Sequence, residues 1–187
     1  CVADACGHSL PAALGIMQFA VELRHLIDSC STVKSLMRRL NRFVYEGQQP
    51  FITFCLCLVD VRHHTLTVAN AGHPPPLRRR RNSAEVEDLA SEQMSMPLGV
   101  RPTEEFHPLT IALEPGDEVL IYTDGVFEAM KTDHELYGRR RLRQLLQDAP
   151  REGVEALVAT VTADVALFLG KAKPMDDSCL VALSRTA

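Results

Sequence analysis

The stretch that most restricts the fold is Phe51-Ile52-Thr53-Phe54-Cys55-Leu56-Cys57-Leu58-Val59, where both alternating sets of side chains are apolar or small. A β-strand sends successive side chains to opposite faces, so such a run is covered on both sides, inside a layered structure. A short turn over residues 60–64 leads into Thr65-Leu66-Thr67-Val68-Ala69-Asn70, which alternates, and the two runs are predicted to pair as an antiparallel hairpin. Ahead of them lie two helical patterns. Ser9-Leu10-Pro11 offers a hydroxyl cap and a first-turn proline, followed by an apolar stripe of Ala13, Ile16, Ala20, Leu23 and Ile27, widened by Met17, Phe19 and Leu26. A second helix is predicted from the Ser31-Thr32 cap, burying Val33, Leu36, Met37, Leu40 and Phe43 and ending at Gly47 and Pro50.

Further hairpins are expected from residues 77–80 with 85–89, and from 110–113 with 118–123 around Pro115-Gly116-Asp117. Two more helices carry Leu142, Leu145 and Leu146, then Val154, Leu157, Val158, Val161, Val165 and Phe168; residues 178–184 form a last strand. Helices and antiparallel strands in separate blocks indicate an α+β fold, with residues 1–187 as one domain. Cys1-Val2-Ala3 reads as the tail of a buried strand, so the first strands of the domain are expected to precede the sequence.

Composition narrows the function classes. Hydrophobic residues make up 46% and charged residues 24%, which excludes disorder, while 5% aromatics and no Trp leave an aliphatic core. A formal charge of −4 gives no reason to expect nucleic acid as a partner. No run approaches the ~18 uninterrupted apolar residues of a membrane span, and no secretory leader opens the sequence. Cys55, Cys57 and Cys179 sit in apolar runs and read as small buried hydrophobes of a reducing compartment, so a cytoplasmic location is expected. The remaining cysteines and histidines fit no zinc spacing. Arg78 to Arg81 read as a solvated hairpin tip, or as an attractor of an acidic partner or a phosphate; Arg139 to Arg141 read as the solvent side of a helix.

Carboxylates recur where strands end. Asp4 follows an apolar stub and precedes Gly7-His8; Asp124 follows Val119-Leu120-Ile121-Tyr122-Thr123 and precedes Gly125; Asp176-Asp177 precedes the last strand. Hard oxygen donors at a rigid, wet sheet rim suit Mg²⁺ or Mn²⁺ rather than zinc, and taken singly each also fits a turn or cap aspartate.

Five segments then resemble one family in order. Asp4-Ala5-Cys6-Gly7-His8-Ser9-Leu10-Pro11-Ala12-Ala13, Asn70-Ala71-Gly72-His73-Pro74-Pro75-Pro76-Leu77 and Met96-Pro97-Leu98-Gly99 come first. Pro115-Gly116-Asp117 with Tyr122-Thr123-Asp124-Gly125-Val126-Phe127-Glu128-Ala129, and Asp176-Asp177-Ser178, complete the set. Together they are similar to the bacterial SpoIIE-like serine/threonine phosphatases of the metal-dependent, type-2C superfamily. The resemblance implies an antiparallel β-sandwich flanked by helices and a two-metal centre of Mn²⁺ or Mg²⁺. It implies that Asp4 bridges both metals, that the Ala5 carbonyl adds a ligand, and that Asp124 and Asp176 complete the second metal, with Asp177 beside them. It also implies a water-activated hydrolysis of phosphoserine or phosphothreonine on a signalling protein. The substrate class it suggests is a small anti-sigma-factor antagonist, with a sensor or receiver domain upstream.

Two departures bear on this. The family has an acidic residue on a strand before the Asp4 motif, a position that this sequence does not include, and Ser9 stands where a glycine is usual. His8 is a candidate acid for the leaving oxygen, although it lies four residues after Asp4 rather than two; His73 is expected to hold a turn. The missing acid motivates an alternative, a pseudo-phosphatase that binds a partner without turnover, and a weaker one, a fragment with exposed sheet edges.

Overall fold

The computed structural model describes residues 1–7, 10–83 and 85–186. In chain order the elements are β1 (Val2–Ala5), α1 (Leu10–Ile27), α2 (Val33–Glu46), β2 (Ile52–Asp60), β3 (Thr65–Ala71), β4 (Leu77–Arg79) and β5 (Val86–Asp88). Then follow β6 (Leu109–Ala112), β7 (Glu118–Tyr122), α3 (Asp124–Phe127), α4 (Arg139–Asp148), α5 (Val154–Leu169) and β8 (Leu180–Ser184). They group into two compact units, Cys1–Pro75 with Ala90–Ala112, and Pro76–Leu89 with Leu113–Ala187.

The first unit holds a four-stranded antiparallel sheet in the order β1-β2-β3-β6. Ile52, Phe54 and Leu56 form the face of β2 that packs on Phe19 and Leu26 of α1 and on Leu36, Met37, Leu40 and Val44 of α2. Phe19 meets Phe54 edge-on with ring centroids 5.1 Å apart, a geometry favoured by the ring quadrupoles. Thr32 caps α2 as expected: its side chain accepts from the Ser35 amide, and the Ser35 hydroxyl accepts in return from the Thr32 amide.

The stripe of α1 differs from the expected one. Its buried positions are Ala12, Gly15, Phe19 and Leu26, with Ile16 and Leu23 beside them, whereas Ala13, Ala20 and Ile27 are exposed. The helix is apolar on most of its circumference, so periodicity alone did not select the face. With 18 residues and a mean hydropathy of 1.2, α1 is also the one helix among the described residues long and apolar enough by length and composition to cross a membrane. An uninterrupted-run criterion passes over it because Gln18, Glu22 and Arg24 interrupt the sequence.

The second unit holds the antiparallel sheet β5-β4-β7-β8. Leu77, Leu120 and Tyr122 of this sheet pack against Leu142 and Leu146 of α4 and Leu157, Val161, Val165 and Phe168 of α5. Residues 110–113 and 118–123 do not pair with each other, contrary to expectation. β6 joins β3 in the first unit and β7 lies between β4 and β8 in the second, so Pro115-Gly116-Asp117 is a crossing between sheets rather than a hairpin tip. The Asp117 carboxylate forms that turn by accepting from the backbone amides of Glu114 (2.9 Å) and Arg81 (3.2 Å).

The arginine run is also corrected. Arg78 and Arg79 are buried, Arg79 at 2% exposure, and only Arg80 and Arg81 face solvent. Arg78 pairs with Asp117 and Glu87. Arg79 donates to Glu118 at 2.7 Å and to the carbonyls of Leu146 and Ala149 at 2.6 Å each. It thereby places a cation at the C-terminal end of α4, where the helix dipole and orphan carbonyls favour one. On α4 itself, Arg139 and Arg143 bind Asp88, and Arg141 grips Asp164 through two 2.9 Å bonds while lying over Tyr137 and Phe168. Of that trio only Arg140 points to solvent. Cys55 is buried as expected, but Cys179 is exposed.

Candidate active site

In the first unit, Asp4 stands in β1 opposite Thr53 of β2, and Ala5 closes the strand opposite Ile52. The Thr53 hydroxyl lies 3.5 Å from the Asp4 carbonyl and shares a 3.0 Å hydrogen bond with Nδ1 of the buried His73. The Asn70 side chain closes the turn that carries this imidazole. It donates to the His73 carbonyl at 2.8 Å and accepts from the His73 amide at 2.9 Å. Gly72 in that turn has φ +67°, and a Cβ there would come 2.5 Å from Pro97 Cγ. Asn70-Ala71-Gly72-His73 and Met96-Pro97-Leu98-Gly99 thus meet where Gly72 packs against Pro97. His73, expected to hold a turn, sits in one that the Asn70 side chain closes, and its imidazole instead bonds Thr53. His8 and Ser9 lie outside the described residues.

In the second unit, Asp124 opens the short helix α3 directly after β7, half-buried, with its Oδ1 accepting from the Gly125 amide at 3.0 Å. The Asp176-Asp177 turn comes to the same place from the far side of the sequence. The Thr123 hydroxyl donates to the Asp177 carbonyl at 3.1 Å and accepts from the Cys179 amide at 2.9 Å, while the Thr123 amide donates to the Cys179 carbonyl at 3.1 Å. A Cβ at Gly125 would lie 2.4 Å from the Asp177 carbonyl oxygen and 3.4 Å from the carbonyl carbon of Asp176. The missing side chain is therefore what lets the two aspartate-bearing segments touch. Asp176 and Asp177 are exposed, and Asp176 Oδ1 accepts from the Asp177 amide at 2.7 Å.

The structure thus brings the segment carrying Asp124 and the Asp176-Asp177 turn into backbone contact in the second unit, and sets Asp4 and Ala5 at the end of β1 in the first. Thr53, Thr123 and Gly125 are supporting residues not singled out from the sequence; the adjacency of Thr123 and Gly125 to Asp124 was the available signal. Among the described residues no three His, Cys, Asp or Glu side chains close round one point as a metal cage. The carboxylates of the second unit nevertheless suit a hard cation. Mg²⁺ in particular takes one or two carboxylates and keeps several waters, which a partly exposed rim supplies. Beside the rim, a cavity of about 550 Å³ is lined by Phe127, Glu128, Met130, Leu136, Met175 and Asp176, among others.

A family model for stage II sporulation protein E (SpoIIE) matches residues 1–186. The phosphoserine phosphatase RsbU of Bacillus subtilis is 26% identical over 186 residues, covering 98% of this chain and 54% of that protein. The chain therefore spans about half the length of that curated relative. Among solved structures, the SiaA-PP2C domain of Pseudomonas aeruginosa superposes with a TM-score of 0.81 at 21% identity, over 97% of this chain and 73% of that one. A Mycobacterium tuberculosis protein with RsbU and RsbW domains gives a TM-score of 0.76 at 26% identity, over 99% of this chain and 51% of that one. With its motifs in order along residues 1–186 and its two antiparallel sheets in the type-2C phosphatase fold, the chain belongs to the SpoIIE family.

Proposed function

We propose that this chain is the catalytic domain of a metal-dependent protein serine/threonine phosphatase that hydrolyses phosphoserine or phosphothreonine on a cytoplasmic signalling protein. The observation that carries the reading is the contact at Gly125, where the absence of a side chain lets the Asp176-Asp177 turn lie against the segment that carries Asp124. Five motifs in family order, and 26% identity to a protein named a phosphoserine phosphatase over 98% of the chain, support it.

In this reading Asp4, the Ala5 carbonyl, Asp124 and Asp176 are the metal ligands that the family resemblance implies, with Asp177 beside them. Mn²⁺ or Mg²⁺, when bound as a pair, supplies an activated water and screens the charge of the transferring phosphoryl group. The chain's own residues do the positioning. Thr123 ties the Asp177 carbonyl to the end of β7, so the carboxylates on either side of it are held by strand backbone rather than by loop alone. Thr53 and His73 do the equivalent for the backbone of Asp4. A preset ligand geometry lowers the entropy lost when a metal and a substrate arrive. His8 is the candidate proton donor to the leaving serine oxygen.

The substrate class we propose is a small phosphorylated anti-sigma-factor antagonist, and the partner in the full-length protein an upstream sensor or receiver domain. The similarity to RsbU supports both. The test is phosphate release from a phosphoserine substrate in Mn²⁺, wild type against Asp124→Ala, on the full-length protein. Activity that falls to background in the variant is expected; equal activity in the two removes Asp124 from the site. Absence of both two-site Mn²⁺ uptake and turnover in the wild type would instead favour a partner-binding pseudo-phosphatase.

A further inference from the structure

The second unit carries a group of cations that the aspartate rim does not use. A cavity of about 500 Å³ is lined by Arg81, Arg151 and Arg185 with Gly116, Glu118 and Gly153, among others. Glu118 begins β7 and Asp124 follows its other end, so the cavity and the rim are separated by the length of the strand, roughly 15–20 Å at ~3.3 Å per residue.

These arginines differ from their neighbours in how their charge is balanced. Arg78, Arg79 and Arg80 each have a carboxylate, in Asp117, Glu118 and Glu87 respectively. Arg151 donates to the carbonyl of Arg80 at 2.6 Å, and its nearest carboxylate is Glu118 at 3.6 Å, which Arg79 already holds. Arg185 spends Nη1 on the Leu113 carbonyl at 2.6 Å, and its Nε is buried without a hydrogen-bond partner among the described residues. The Arg81 guanidinium has no carboxylate partner among the described residues and lies with its stem against Gly116. A cluster of cations is mutually repulsive unless an anion arrives. Gly153 adds the N-terminus of the 16-residue helix α5, which has no side-chain cap.

We propose that this cavity binds a phosphate-class dianion: inorganic phosphate, or the phosphoryl group of a phosphorylated side chain. One guanidinium satisfies a carboxylate through a bidentate pair. Guanidiniums from three separate segments, with helix amides beside them, match a tetrahedral oxyanion with three or four acceptor oxygens. The site is distinct from the proposed chemistry, needs no metal, and draws on none of the rim aspartates.

The experiment is calorimetric titration of the whole chain in EDTA at constant ionic strength, once with inorganic phosphate and once with a phosphoserine peptide. Three proteins are compared: wild type, Arg81→Gln/Arg185→Gln, and Asp124→Asn. Saturable binding is expected in the wild type and in Asp124→Asn. In the arginine variant it should weaken by about tenfold or more, the loss expected for one charge-assisted hydrogen bond. Amide hydrogen exchange should slow at residues 116–118 and 153–156 on saturation. Binding of both ligands identifies free phosphate as sufficient, and binding of the peptide alone identifies a phosphorylated segment. Absence of saturable binding with either ligand, or equal binding in the arginine variant, overturns the proposal. Should the Arg185 change disturb folding, the exposed Arg81→Gln alone carries the comparison.

Discussion

At position 125 a single methyl group decides whether two parts of the sequence meet. Gly125→Ala would drive a carbon to 2.4 Å from the Asp177 carbonyl oxygen, so the turn bearing Asp176 and Asp177 must retreat from Asp124. Displacing groups that hold metal ligands costs ~10–100-fold in metal affinity or activity. We expect a loss of that size in Mn²⁺-dependent phosphate release from Gly125→Ala, with the urea midpoint showing that the domain still folds. An alanine variant as active as wild type would disconnect the contact from catalysis. The aspartates themselves were legible in the sequence because motif and turn chemistry coincide there. The reason for the glycine was not, since it depends on a segment more than fifty residues away. The same holds for Arg78 and Arg79: read alone they are a charged tip, but register sets Arg79 opposite Glu118, and the two adjacent acids Asp117 and Glu118 were the only hint in the sequence.

Helix α1 shows what local pattern can and cannot specify. Its span was legible from its length and apolar content, and its inward face was not, because Leu10, Leu14, Met17 and Val21 make a second apolar stripe that the unit leaves exposed. Packing discriminates the two faces. Phe19→Ala removes a ring held against Phe54 and should cost about 3–5 kcal/mol, whereas Met17→Ala, at 65% exposure, should stay within ~0.5 kcal/mol. Urea denaturation of the two variants checks the pair, and similar losses would mean that both faces are packed. The strands tell a complementary story. Residues 110–113 and 118–123 were correctly read as strands, yet a Pro-Gly-Asp turn serves a hairpin and a change of sheet equally well, so only tertiary pairing could assign them.

Across the whole molecule, acid stability follows from two carboxylates with firm partners. Burial works to raise the Asp117 carboxyl, but Arg78 and the amides of Glu114 and Arg81 outweigh it and hold it below the usual range. Arg141, aided by the Tyr137 hydroxyl, does the same for Asp164. A folded-state value below the unfolded ~3.9 means that the unfolded chain binds the proton first. The stabilisation from both groups is therefore complete above about pH 5 and is lost as pH falls through about 4 toward the folded values. Urea midpoints measured from pH 7 down to 3 should drop along that limb, and Asp117→Asn should be weaker at pH 7 and fall less steeply; an unchanged acid limb would remove Asp117 from the account.

The division of the chain, with Pro76–Leu89 belonging to one unit and the segments on either side of it to the other, has a consequence for synthesis. β4 leaves the ribosome carrying Arg78 and Arg79 well before Asp117 and Glu118 exist to receive them. Until then Arg79, on a strand destined for a sheet interior, lacks the carboxylate it holds in the folded protein, at the very moment when the first unit already has its helices and three of its strands. Translation of the Pro115-Gly116-Asp117 crossing is thus the event that supplies Asp117 and Glu118 to the waiting arginines of β4. A stalled chain ending before residue 117 is the form that chaperones and proteases would be expected to find first.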